Sequence, residues 1–429
     1  MIQKPKGTRD FLPEEVKQIR TLEERFIQLS ESYGFQEIRY PMFEKTELFE
    51  RGVGETTDVV KKEMFRVISA ANLEKYKAGE YDLKKEGLTL RPEGTASVVR
   101  SFIENKLYAQ ALPAKFCYLG SNFRNERPQA GRFREFSEFG VETFGSEDAF
   151  SDAEIIALAA DMIIQSGVPE VQTLVNSVGC PDCRPLFHQA LRTFLTDKVD
   201  RLCGDCQERY DKNPLRIIDC KVPADQAAIA GHPVMMDYLC ASCREHFEAL
   251  QGYLNDLGVK HEIDPNIVRG LDYYVRTAFE LKVDSLGAQN TICGGGRYDG
   301  LVQHLGGPDI PGVGFGMGMD RLLLASQLHK KDSGSAAREG FYLIPFGELA
   351  KHELVRLLAT LRSMGQRVEL SVGSRSLKSA MKQADRMNAR YAIILGEDEQ
   401  ANHVITRKDL SNSTQEQLTV EALLHQLEE

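Results

Sequence analysis

The run Phe123-Arg124-Asn125-Glu126-Arg127-Pro128-Gln129-Ala130-Gly131-Arg132-Phe133-Arg134 sets four arginines and one carboxylate around a polar loop between two apolar stretches. Guanidinium groups at that density repel one another unless an anion sits among them, and arginine's planar fork matches phosphate or carboxylate oxygens two at a time. A triphosphate is the natural guest, and an exposed salt-bridged loop is the plainer reading. On the returning strand the period of two puts Phe136, Glu138, Gly140 and Glu142 on one face. The two glutamates then point the same way, on the order of 13 Å apart at ~3.3 Å per residue. They suit the two basic ends of one small ligand, or a solvated strand face. In Arg91-Pro92-Glu93-Gly94-Thr95 a carboxylate and a hydroxyl lie two residues apart beside a chain reversal, which also reads as a helix cap.

Two further segments, Arg269-Gly270-Leu271-Asp272-Tyr273-Tyr274 and Gly294-Gly295-Gly296-Arg297-Tyr298-Asp299-Gly300, bracket a hairpin and each bring an arginine beside tyrosine and glycine. Tyrosine hydroxyls with Glu142 would read a polar heteroaromatic ring; equally, Tyr273 and Tyr274 fit half-buried sheet positions. From Gly312 to Gly318 glycine takes every second position, so one strand face is bare and backbone can approach a flat ligand or another element. Arg321 opens the helix that follows. The run is not a dinucleotide fingerprint, because no βαβ unit surrounds it. Cysteines form three C-x-x-C pairs, Cys180/Cys183, Cys203/Cys206 and Cys240/Cys243. The gap between the first two fits a four-thiolate zinc site, any two pairs would suffice, and Cys220 is a further candidate, so the pairing stays open. Near the end, Arg375, Lys378, Lys382, Arg386 and Arg390 recur at intervals of three or four. That spacing lays them along one helix face, suited to a phosphate backbone or to solvent.

These groups need a scaffold, and 429 residues predict two or three domains with ample core. Residues 1–328 read as one core: a helix from Pro13 with Val16, Ile19, Leu22, Phe26 and Leu29 at helical spacing and Gly34 at its end, then a strand Phe35–Tyr40 stopped by Pro41. A hairpin of Lys115–Leu119 and Phe133–Phe144 follows, and strand signals return at 271–283. Residues 178–262, with seven of the nine cysteines and helical stretches, read as an insertion. The small polar run at 329–340 reads as a linker, and 341–429 alternates strands (Phe341–Pro345, Arg367–Leu370, Tyr391–Leu395) with helices as an α/β module. No apolar run approaches the ~20 residues that cross a bilayer. The first residues lack the apolar core of a secretory signal, so reduced thiols in the cytoplasm are expected. A net charge of −10 requires any polyanion to meet a local basic surface.

Phe123-Arg124-Asn125-Glu126 and Gly316-Met317-Gly318-Met319-Asp320-Arg321 resemble motifs 2 and 3 of class II aminoacyl-tRNA synthetases, and Pro41 resembles the motif 1 proline of their dimer interface. The Arg269–Tyr274 and Gly294–Gly300 peptides resemble the two signature peptides of the histidyl-tRNA synthetase family, and the likeness runs from Lys6-Gly7-Thr8-Arg9-Asp10 to the final module. The resemblance implies an α+β fold: a six-stranded antiparallel sheet flanked by helices, a helical insertion and a C-terminal α/β anticodon-binding domain. It implies a homodimer that joins L-histidine to histidine tRNA through histidyl-adenylate, with ATP and magnesium. It assigns catalysis to Arg269, Arg124 and Arg321, and ATP binding to Arg124, Arg132, Phe136 and Arg321. Glu93 and Thr95 would take the ammonium group of histidine, Glu142 and Tyr274 the imidazole, with Glu138 and Tyr273 beside them. Glu138 stands where the family usually has glutamine, and three acids near one site should raise at least one pKa. The alternative from another class is the non-catalytic, synthetase-like regulatory subunit of ATP phosphoribosyltransferase. Such paralogues usually lose active-site arginines and the C-terminal domain, whereas Arg124, Arg269, Arg321 and residues 341–429 are all present here.

Overall fold

Pro13 supplies the fixed φ of a first helical turn, and Ile19, Leu22 and Phe26 fall on one buried face of the helix Pro13–Ser32. Gly34 follows in the left-handed region at φ 82° and releases the chain into β1 (Gln36–Glu37). This strand is shorter than Phe35–Tyr40. Pairing stops at Ile38, whose N–H reaches Cys117, and the carbonyl of Tyr40 instead accepts from Arg91 at 2.9 Å. The computed structural model describes residues 1–54, 57–83, 86–129, 131–220, 222–268, 273–329, 338–373 and 376–428. Arg269 and Arg375 lie outside them. The chain divides into two compact units, Met1–Lys331 and Asp332–Glu429.

In the first unit, β2 (Phe43–Lys45), β3 (Arg66–Val67) and β4 (Leu88–Leu90) make a small antiparallel sheet. The main sheet contains β1 with β5 (Ala114–Phe123), β6 (Glu135–Phe144), β7 (Gln172–Ser177), β8 (His261–Ile263), β9 (Val275–Lys282), β10 (Thr291–Arg297) and β11 (Gly312–Gly318), in the order β1-β5-β6-β11-β10-β9-β7-β8. The six strands from β5 to β7 in that order are antiparallel throughout, as the resemblance implies. A short parallel strand extends each edge. One face of the sheet, carrying Cys117, Phe139, Val141, Phe279, Leu281, Val313 and Phe315, is buried beneath the helices Pro13–Ser32, Ala149–Gln165, Ala241–Asp256 and Met319–His329. Burying such side chains stabilises by about 1.5–3 kcal/mol each, so this face holds the sheet rigid and leaves the opposite one for chemistry. Between β7 and β8 the chain forms short helices around a core of its own that includes Phe187, Leu191, Leu195 and Ile217.

The second unit has β12 (Phe341–Pro345), β13 (Val368–Leu370), β14 (Tyr391–Leu395), β15 (Ile405–Asp409) and β16 (Thr414–Leu418) in the order β13-β12-β14-β15-β16. The first three are parallel, and β15 and β16 join antiparallel. In the helix Leu377–Arg386, Ala380 and Ala384 are buried while Lys378, Lys382 and Arg386 are exposed, so these three of the expected stripe face solvent; the helix ends before Arg390, which is exposed at the entry to β14. No helix among the described residues is long and apolar enough to cross a membrane.

Candidate active site

Register explains the open face of the main sheet. Glu142 pairs with Gly314 and Glu138 with Gly318, so the bare face of β11 lies beside the two glutamates of β6. A Cβ at Gly314 would fall on Glu142 Oε2 and on the carbonyl oxygen of Val141, and one at Gly316 would come 3.0 Å from Glu138. At Gly318 it would meet only ordinary contacts, 3.8 Å from Arg321. The glycine stripe therefore makes room for carboxylates at one end and borders open space at the other.

That space is a cavity of about 260 Å³, acidic and aromatic at one end and rich in arginine at the other. At the acidic end the Glu93 carboxylate accepts from the N–H groups of Thr95 and Ala96, both at 2.9 Å, and caps the helix Thr95–Glu104. The Thr95 hydroxyl lies 2.7 Å from Glu142, whose other partners are the hydroxyls of Tyr118 at 3.2 Å and of Tyr298. Glu142 is 0% exposed and sits behind the wall formed by Thr95 and Tyr118. Burial pushes its carboxyl up to about 8, against the pull of the hydroxyls from Tyr298, Thr95 and Tyr118. Burial likewise pushes Glu138 up to about 7, with Arg124 opposing and Glu93 adding to the rise, and it raises Glu93. Thr95 and Tyr118 both donate to Oε1 of Glu142, which leaves Oε2, beside Tyr298, for the proton at neutral pH, so the two wall hydroxyls turn lone pairs toward the cavity. That wall suits a ligand rich in N–H groups.

At the other end Arg124 donates from Nε to the Pro92 carbonyl at 2.7 Å and lies over the Phe136 ring, 5.3 Å from its centroid. Glu126 pairs with Arg132 and stands 3.9 Å from Arg124. Arg321 donates to the Thr291 carbonyl at 2.6 Å. Burial, then the charge of Arg132 and, less strongly, of Arg124, lowers the pKa of Arg321, with Glu126 opposing. Asp320 ties this end together. It accepts from the Ser137 N–H at 3.0 Å and from Arg9 at 2.6 Å, and Arg9 stacks on Phe11 and Phe133. The N-terminal peptide thus braces the strand that carries Phe136.

The cavity brings together Glu93, Thr95, Arg124, Arg132, Phe136, Glu138, Tyr273, Tyr274 and Arg321. Glu142 is held one layer behind, and Arg269 lies outside the described residues. Arg297 of the second glycine-rich peptide is 0% exposed and paired with Asp152 and Asp299, so its work is structural. Sequence reading missed Tyr118. The available signal was Gly140: a Cβ there would strike the Tyr118 ring, so a glycine between two glutamates marks a cross-strand aromatic. Arg9 lies in the Lys6–Asp10 peptide, and its ion pair with Asp320 spans most of the chain, beyond any local pattern.

An antiparallel sheet whose open face cradles a cavity between buried acids and converging arginines defines the catalytic core of a class II aminoacyl-tRNA synthetase. The comparisons narrow this. Residues 7–322 match the model of histidyl-tRNA synthetase and residues 341–429 that of an anticodon binding domain. The histidine--tRNA ligase of Desulfitobacterium hafniense is 47% identical over 420 residues, which cover 98% of this chain and 96% of that one. The apo histidyl-tRNA synthetase of S. aureus superposes with a TM-score of 0.82 at 34% identity, covering 100% of both chains. A Bacillus halodurans structure titled as an ATP phosphoribosyltransferase regulatory subunit/histidyl-tRNA synthetase shares the fold, with a TM-score of 0.64 at 21% identity over 92% of this chain and 98% of its own. The chain belongs to the histidyl-tRNA synthetase family.

Proposed function

We infer that this chain is a histidine–tRNA ligase, which activates L-histidine with ATP to histidyl-adenylate and transfers it to the 3′ end of histidine tRNA with release of AMP and pyrophosphate. The observation that carries the reading is the convergence of Arg124, Arg132 and Arg321 on one cavity whose far end is lined by Glu93, Thr95, Tyr273 and Tyr274. In the first step the histidine carboxylate attacks the α-phosphorus, the bond to pyrophosphate breaks, and no proton transfer is required. Alignment of the two substrates and stabilisation of charge growing on the phosphoryl oxygens therefore dominate. Arg124, Arg132 and Arg321 would hold the phosphates, with adenine on Phe136. Arg269, by its place in the resemblance, would neutralise the α-phosphate. The histidine ammonium would meet Glu93 and the Thr95 hydroxyl. The imidazole would meet Tyr273 and Tyr274, and Glu142 would act through the hydroxyls in front of it. Glu138, between the two ends, would accept from the ammonium when ionised.

ATP would bring magnesium, which neutralises phosphate charge, and Glu126 is the carboxylate among the arginines suited to it. Structural zinc is proposed for the segment between β7 and β8. A homodimer, histidine tRNA on the basic stripe of the second unit, and a cytoplasmic setting complete the reading. The regulatory-subunit alternative is not favoured, since the curated relative at 47% identity is a ligase and the arginines are retained.

The test is histidine-dependent exchange of pyrophosphate into ATP. The ligase reading expects exchange with L-histidine alone among the amino acids, and none from folded dimeric protein would return the choice to the regulatory subunit. Arg269→His is expected to abolish exchange while leaving sedimentation as a dimer intact; undiminished exchange would remove Arg269 from the chemistry.

A further inference from the structure

Seven cysteines lie between residues 180 and 243, and the fold sorts them differently from their order in the chain. The first C-x-x-C pair joins the third: the donor atoms of Cys180, Cys183, Cys240 and Cys243 lie within 4.8 Å of one another. The second pair joins Cys220 and a carboxylate: Cys203, Cys206, Cys220 and Asp225 meet the same condition. We propose that these are two separate structural zinc sites, one of four thiolates and one of three thiolates and a carboxylate, which deepens the zinc reading above from an unspecified pairing to two defined donor sets.

The geometry fits the metal. Tetrahedral zinc with Zn–S bonds of 2.3 Å holds its sulfurs about 3.8 Å apart. Cys180 Sγ lies 3.5 Å from Cys183 Sγ and 4.0 Å from Cys240 Sγ, and Cys203 Sγ lies 3.9 Å from Cys220 Sγ. Backbone prepares the thiolates. Cys183, Cys203 and Cys240 immediately precede the helices Arg184–Leu195, Gly204–Lys212 and Ala241–Asp256, whose free N–H groups favour negative sulfur. The Cys240 N–H already donates to Cys183 Sγ at 3.1 Å.

Asp225 supplies the fourth donor of the second set. Its carboxylate is 2% exposed and has no cationic partner among the described residues. It accepts from the Cys203 N–H at 3.1 Å and from the Cys220 thiol at 3.2 Å. A buried carboxylate aimed at three thiols needs a counter-charge. A divalent cation supplies it, whereas a dithiol redox pair would leave the acid and one sulfur without a role.

The two sites differ in what they brace. Cys180 and Cys183 follow β7 as the chain leaves the main sheet, and Cys240 and Cys243 begin the helix that carries Phe247, Leu250 and Leu254 back into the main core. The four-thiolate site therefore ties exit to re-entry. Its stem also pairs with the start of β9, through Val178 N–H to the Arg276 carbonyl at 2.7 Å and Arg276 N–H to the Gly179 carbonyl at 2.9 Å. The mixed site lies wholly inside the segment, where it joins the helices Gly204–Lys212 and Pro223–Ala228.

The full chain, purified untagged under reducing conditions, should carry two zinc ions by elemental analysis. Cys240→Ser and Asp225→Ala should each carry one, and the double variant none, with far-ultraviolet circular dichroism confirming that each is folded. Replacement by cobalt should give a thiolate-to-metal charge-transfer band, stronger per cobalt in Asp225→Ala, which keeps the four-thiolate site, than in Cys240→Ser. On the unsubstituted protein, chelation should speed tryptic cleavage between 184 and 240 without cutting β5 or β6. One zinc that survives Asp225→Ala but not Cys240→Ser would overturn the second site. Folded wild-type protein that holds no zinc, takes none up and has freely alkylated thiols would overturn both, whatever the outcome of pyrophosphate exchange.

Discussion

At the arginine end of the cavity, Glu126 pairs with Arg132 and stands 3.9 Å from Arg124, and burial, then the charge of Arg132, lowers the pKa of Arg321. At the acidic end, Glu142 meets three hydroxyls and no cation among the described residues, and its pKa rises to about 8. The first end keeps its charge and stores repulsion that an anion relieves. The second suppresses its charge, because neutral hydrogen bonds do not repay the desolvation of a buried carboxylate. The difference matches the guests proposed: a polyanion gains from preorganised cations, while a small polar ring needs shape and directed lone pairs more than field.

Removing a cation should break the comparison most visibly. Arg321→Ala is expected to lower the rate of histidine-dependent exchange roughly 10³-fold, the loss typical of one preorganised donor at developing charge. A change below tenfold would mean that Arg321 merely packs. Glycine substitutions come next. Gly314→Ala forces a methyl group into Glu142 and should destabilise by ~3 kcal/mol through overpacking, read as a lower urea midpoint. Gly318→Ala, where the new Cβ meets only ordinary contacts, should keep the midpoint and raise the KM for ATP. Equal midpoints would show that the acidic end is looser than its packing suggests.

The pH dependence of stability sharpens the same contrast. For an acid whose folded pKa exceeds its unfolded value of 4.5, the folded state binds the extra proton between the two values, so stability falls as pH rises. The loss from Glu142 should begin above about pH 4.5 and be complete above about 8. Glu142→Gln should flatten the decline of Tm across that window, and parallel curves for the two proteins would contradict the raised pKa. The smallest effect belongs to the second unit, where Lys382→Glu with Arg386→Glu should weaken tRNA binding roughly tenfold and lessen its salt dependence. Exchange, which needs no tRNA, should not change; loss of both would indicate misfolding.

Much of this was legible before any coordinates. The arginine hairpin, the alternating glutamates and the glycine stripe are local patterns, and each maps onto one strand or one turn of β5, β6 and β11. The antiparallel pair β15 and β16 was not anticipated, because β16 is exposed and polar along nearly its whole length and carries no apolar alternation. The strand expected at Phe35–Tyr40 shrank for a long-range reason, since Arg91, buried to 6% exposure, captures the carbonyls that would have continued the ladder.

The sequence by itself determined which chemistry was on offer: guanidiniums for phosphate, acids and tyrosines for a basic ring, and thiols for a soft metal. Residue type and short spacing decide that without reference to distant chain. Only the tertiary structure decided partnership. It set Glu142 behind Thr95 and Tyr118, anchored Arg9 on Asp320, and joined the first cysteine pair to the third. These choices depend on strand register and on where helices begin, which many distributed contacts set together and no local window contains.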